Sequence, residues 1–107
     1  VEKETKVVVL CAAGMSSSLI CTSITNAATK RGIVLNIYAT PIMTYKELDY
    51  NGVSVILLAP QVRFQLDEVR KYLESLNIPI DQISFVDYGM VRGDKILDQI
   101  ENILQTK

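Results

Sequence analysis

Cys11 and the serines that follow it are the residues of this chain best suited to chemistry. The β-branched run Val7-Val8-Val9-Leu10 ends on Cys11, the small residues Ala12, Ala13 and Gly14 follow with Met15, and Ser16, Ser17 and Ser18 open a stretch of helical periodicity. This order spells strand, loop, helix, with a thiol where the loop's N–H groups converge. A helix N-terminus carries unsatisfied donors and a partial positive charge, so it suits an anion. The same field favours thiolate over thiol and makes a cysteine nucleophilic. Two readings fit Cys11: a nucleophile that takes a phosphoryl group into a cradle of N–H groups and hydroxyls, or a small buried residue at a strand end. The loop favours the first. Serine at a helix start is an ordinary N-cap, but one cap needs one serine, and three stand here.

Composition narrows the classes. At 107 residues the chain is read as one domain, 1–107, long enough to bury a core without staples. A net charge of -1 gives no electrostatic case for nucleic acid or an anionic membrane. No apolar run approaches the roughly 20 residues of a membrane span, and no signal-peptide pattern opens the sequence. Cys11 and Cys21 fit neither a disulfide framework nor a C-x-x-C redox pair. There is no histidine, hence no imidazole for zinc or for general-base catalysis. The expectation is a cytoplasmic protein with reduced thiols, no metal and no cofactor.

The elements that must position Cys11 follow from periodicity. Val7–Leu10 reads as a strand buried on both faces. Ile20, Ile24, Ala27 and Ala28 stripe a helix over Ser17–Arg31, stopped by Gly32, and Cys21 falls near the edge of that stripe as a packing residue. Ile33–Ala39 alternates like an edge strand and is broken by Thr40-Pro41. Thr44-Tyr45-Lys46-Glu47 has capping-box spacing and predicts a short helix over Thr44–Asp49. Val53–Leu58 is a second buried strand. Pro60 opens a helix with Val62, Leu66, Val69, Leu73 and Leu76 on one stripe, ended by Asn77 to Pro79. Ile83–Val86 is read as the fourth strand, Asp87–Gly93 as a loop, and Asp94 as the cap of a last helix carrying Ile96, Leu97, Ile100, Ile103 and Leu104. Alternating strands and helices predict an α/β fold: a four-stranded parallel sheet, order 2-1-3-4, with helices on both faces. Such sheets bind ligands beyond the carboxyl ends of the strands at the switch point, here between strands one and three. Cys11 stands at the first end and Ala59-Pro60-Gln61 at the second.

Cys11-Ala12-Ala13-Gly14-Met15-Ser16-Ser17-Ser18-Leu19 closely resembles the phosphocysteine loop of the lactose/cellobiose-type enzyme IIB components of the bacterial sugar phosphotransferase system. Leu57-Leu58-Ala59-Pro60-Gln61-Val62 is similar to that family's strand-three motif, and Tyr88-Gly89-Met90-Val91-Arg92-Gly93 to its last loop. The resemblance spans the chain and implies a fold like that of the low-molecular-weight tyrosine phosphatases. It also implies a phosphotransferase. By that resemblance, Cys11 is expected to take the phosphoryl group from a phosphohistidine of enzyme IIA, hold it on residues 12–18, and pass it to a sugar bound by membrane enzyme IIC. Arg92 departs from the pattern, which has a small acidic or amide residue there, and Ala59 stands where glycine is usual.

The rival is a phosphatase or arsenate reductase with the same cysteine loop. The phosphatase loop needs an arginine six positions after the cysteine, to grip two phosphate oxygens as charge spreads in the transition state. That position is Ser17. Arsenate reduction needs resolving cysteines, and Cys21 falls within a helix. Around the loop, Met15 reads either as packing or as an apolar partner contact. Gln61 reads as a bond to the loop or the phosphate, or as a cap of its own helix. Pro60, Gln61 and Tyr88 are read as supporting the loop from behind or as contacting a partner, with Tyr88 on the surface around the loop.

Overall fold

The computed structural model describes residues 4–12 and 17–105. Four strands, β1 (Thr5–Cys11), β2 (Leu35–Pro41), β3 (Val55–Leu58) and β4 (Ile80–Gln82), form one parallel sheet in the order β2-β1-β3-β4. The predicted order holds. Four helices accompany them: α1 (Ser17–Lys30), α2 (Leu66–Leu73), α3 (Phe85–Gly89) and α4 (Gly93–Gln105). Val7, Val8, Val9 and Leu10 point alternately to opposite faces, and all four are fully buried. Both faces of the sheet centre are therefore covered. With right-handed crossovers, β1-α1-β2 and β3-α2-β4 step in opposite directions from the centre and put α1 and α2 on opposite faces. Helix α4 packs on α1.

The stop of α1 follows the sequence closely. Gly32 has φ 71°, Ile33 N–H donates to Ala28 at 2.9 Å and Gly32 N–H to Thr29 at 3.1 Å, which is the Schellman pattern. Beside it, Arg31 reaches across to α4, pairing with Asp98 at 2.9 Å and with Glu101.

Several expectations are corrected. The fourth strand is Ile80–Gln82, not Ile83–Val86. Ser84 accepts from Asp87 N–H at 3.1 Å and so caps α3, turning Phe85–Gly89 helical where a strand end and a loop were expected. The Thr44–Asp49 helix is instead a 3-10 turn, Ile42–Thr44, because the Thr44 hydroxyl donates back to the Pro41 carbonyl at 2.8 Å rather than capping forward. Finally, α4 begins at Gly93, one residue before Asp94. Its first N–H is taken by the Ser23 hydroxyl of α1 at 3.0 Å, and that hydroxyl donates to the Val91 carbonyl at 3.1 Å. A cap supplied by a distant residue leaves no local signature. The expected stripe after Pro60 is buried at Val62, Val69 and Leu73, but Leu76 is exposed beyond the end of α2.

Val91 stands at φ 52°, a left-handed conformation that a β-branched residue adopts only under strain. Its contribution to capping is a backbone carbonyl, which any residue supplies. Val91→Asn should therefore raise stability by about 1 kcal/mol and the thermal midpoint by roughly 4 °C. An unchanged or lower midpoint in thermal unfolding would show that the side chain compensates for its backbone.

Candidate functional site

Cys11 is the last residue of β1, beside Pro41 of β2 in register, with β3 on its other flank. β2 and β3 lie on opposite sides of β1, so this is the switch point of the sheet. Residues 12–16 connect Cys11 to Ser17, where α1 starts. The thiol is 5% exposed and donates to the Thr40 carbonyl at 3.5 Å. Thr40 in turn shares a hydroxyl contact with Thr44 at 3.2 Å. The Thr40–Thr44 turn thus fixes the carbonyl that receives the Cys11 thiol. Sequence reasoning treated Thr40-Pro41 only as a strand break. The one available signal was two threonines flanking a proline at the end of a strand next to β1.

The predicted residues divide in three groups. Ala12 is half-buried, Ser17 opens α1 and Ser18 is exposed in its first turn. Ala13, Gly14, Met15 and Ser16 lie outside the described residues. On the next strand, Ala59 N–H donates to Leu10 carbonyl at 2.8 Å, which carries the ladder one step past β3 and sets Pro60 and Gln61 at the same end of the sheet as Cys11. Pro60 is buried and Gln61 exposed. Tyr88, expected on the surface around the loop, is instead packed in the core. The exposed residues of that region are Phe85, Val86 and Met90. Arg92 stays within its own loop, 4.0 Å from the Asp87 carboxylate.

Cys21 is half-buried on α1 against the core. Burial first, and then electrostatic interaction with Cys11, push its thiol up to about 11. A raised thiol pKa means protonated sulfur at neutral pH. In the native protein at pH 8, Cys21 should alkylate with iodoacetamide on the order of 100-fold more slowly than a free cysteine, and its rate should keep rising with pH until about 11, where a free thiol has long levelled off. Peptide mapping by mass spectrometry reads this directly. Alkylation at the free-thiol rate at pH 8 would contradict it.

Among the described residues no cluster of three metal-ligating side chains exists, and no helix is long and apolar enough to cross a membrane. Residues 6–99 match the family model for the lactose/cellobiose-specific IIB subunit of the phosphotransferase system (PTS). The chain belongs to this family. It is a sugar-specific IIB component, and IIB components of the PTS are phosphotransferases. The galactose-specific IIB component of Lactococcus lactis subsp. cremoris is 40% identical over 104 residues, covering 92% of this IIB chain and 96% of that protein. The cellobiose-specific IIB component of Lactococcus lactis subsp. lactis matches equally, at 40% identity with the same coverage. Among solved structures, the lactose-specific IIB domain of Streptococcus pneumoniae superposes with a TM-score of 0.80 at 26% identity, covering 94% of this chain and 97% of that one. The cellobiose-specific IIB protein of Borrelia burgdorferi gives a TM-score of 0.77 at 31% identity, covering 97% and 94%.

Proposed function

We propose that this IIB subunit works as a cytoplasmic phosphoryl carrier on Cys11, in a single domain. The observation that carries the reading is Cys11 itself, at the carboxyl end of β1 on the switch point with α1 starting just after the connecting loop. In the first transfer, Cys11 Sγ attacks phosphorus and the P–N bond to a histidine of enzyme IIA breaks. The departing imidazole nitrogen takes the proton that the thiol gives up. In the second, a hydroxyl of a sugar held by membrane enzyme IIC attacks phosphorus, the P–S bond breaks, and the hydroxyl proton returns to sulfur. Residues 12–18 cradle the dianion between the two events with N–H groups and the hydroxyls of Ser16, Ser17 and Ser18.

The identity of residue 17 supports a carrier over a phosphatase. A serine offers one neutral hydrogen bond, worth about 1 kcal/mol net, where an arginine would hold two oxygens with charge-assisted bonds about twice as strong each. A thiophosphate must also survive until its acceptor arrives, and strong stabilisation of a hydrolytic transition state would waste it. Asp87, the one carboxylate just after β4 that could protonate a leaving group, faces Arg92.

The test has two arms. Incubation with phosphorylated IIA should add one phosphoryl group to the Cys11 peptide, read by mass spectrometry. The unmodified protein should show no sustained release of phosphate from p-nitrophenyl phosphate. Steady turnover of that ester, dependent on Cys11, would replace the carrier by a phosphatase.

A further inference from the structure

Large exposed apolar side chains gather where the chain leaves β3 and β4. Phe64, 77% exposed, lies in the 3-10 turn Pro60–Gln65 that follows β3, and Phe85, 56% exposed, is the first residue of α3 after β4. Phe64 is out of phase with the buried positions Val62, Val69 and Leu73, so packing of its own helix does not account for it. Between the two rings runs a groove lined by Pro60, Gln61, Arg63, Phe64, Gln82 and Phe85. The Arg63 guanidinium lies over the Phe85 ring, 4.6 Å from its centroid, and makes no ion pair among the described residues. The turn that carries Arg63 packs against β1, whose last residue is Cys11, so groove and thiol share one end of the molecule.

We propose that this groove is the docking site for the phosphorylated donor protein, with Phe64 and Phe85 taking apolar side chains and Arg63 drawn by the negative charge of the donor's phosphoryl group. The inference rests on the carrier reading above. An aromatic pair with an arginine held in place is the composition of an interface anchor. Charge selects between the two partners. The donor arrives bearing a phosphoryl dianion while the thiol is empty, so a fixed cation attracts it. The acceptor arrives with a neutral sugar, when the negative charge is already on this chain. A cation here therefore speeds encounter with the loaded donor and loses its pull once the group has moved.

The experiment uses a lactose/cellobiose-type IIA, phosphorylated on histidine, at varied concentration, with transfer to the intact chain followed by quench and mass spectrometry. Arg63→Glu should raise the half-saturating donor concentration by about 10-fold while the maximal rate stays within about 2-fold. It should also flatten the slowing that added salt causes in the wild type. Phe85→Ala should raise the same concentration without altering the salt response. Far-ultraviolet circular dichroism checks that both variants fold. The second step, from phosphorylated chain to sugar in vesicles containing IIC, should be unchanged in Arg63→Glu. If no transfer to the wild type occurs, the carrier reading falls and this inference with it. If wild type and both variants transfer alike, the inference alone falls. It falls as well if the defect appears in the sugar step, alone or to the same degree.

Discussion

On the carrier reading proposed above, Cys11→Ser should abolish phosphoryl uptake from IIA, whereas Cys21→Ser should leave it nearly unchanged; this is the largest effect expected of any substitution in the chain. A serine hydroxyl ionises far less readily than a thiol, so the nucleophile is lost while the volume is almost kept. The fold should tolerate the change. The new hydroxyl can donate to the Thr40 carbonyl that now receives the thiol at 3.5 Å, so no buried polar group is stranded. Cys21 is half-buried in α1 and stays protonated at neutral pH, which removes it as a nucleophile. The measurement is incorporation of labelled phosphate at saturating phosphorylated IIA, with circular dichroism as the control for folding. Uptake that survives in Cys11→Ser, or dies in a folded Cys21→Ser, would move the acceptor away from Cys11.

Gly93→Ala should be the most damaging substitution for stability. A β-carbon there would overlap the carbonyl group and the hydroxyl of Ser23. Two of those atoms are backbone, so the conflict can be relieved only by moving α4 off α1. Overpacking of this kind costs about 3 kcal/mol or more, which for a chain of this size lowers the thermal midpoint by more than about 10 °C. The same displacement withdraws the Ser23 hydroxyl from Gly93 N–H and from Val91. Ser23→Ala in the Gly93→Ala background removes the hydroxyl conflict but not the backbone one, and should not restore stability. A midpoint within about 2 °C of wild type for Gly93→Ala would mean that the helices separate at little cost.

The parts of this molecule legible in its sequence are those whose signals are local and strong. Val7–Leu10 is apolar at consecutive positions because both faces of β1 are covered, and such a run has few other uses. The end of α1 was readable because glycine at that site does one job. Strand order followed from which runs were uniformly apolar. By contrast, β4 is three residues at an edge, and of Ile80-Asp81-Gln82 only Ile80 is buried, so no hydrophobic period marks it. Ile83-Ser84-Phe85-Val86 has the composition of a strand, and that composition obscured Ser84 and Asp87, which hold capping spacing. At the site, Cys11 and the start of α1 were legible from the change in residue class along residues 7–18. The Thr40 carbonyl was not, since a backbone acceptor on a neighbouring strand has no residue type. Tyr88 was misplaced for a related reason: a tyrosine beside a glycine in a presumed loop reads as exposed, but α3 turns it into the core.

The shelter of Cys11 bears on a problem of leakage. A cell is full of small phosphate esters and soft electrophiles, and a freely exposed thiol would meet them continually. With 5% of its surface exposed and its hydrogen directed at Thr40, this sulfur presents little target to anything that arrives by diffusion alone. Reaching it requires giving up one weak S–H···O contact, a cost that a partner lying across the whole end of the sheet recovers from its own contacts and a small solute does not. On the carrier reading proposed above, access rather than raw reactivity would then decide who writes to this residue. A carrier insulated in this way could idle among abundant metabolites and still respond to a scarce protein.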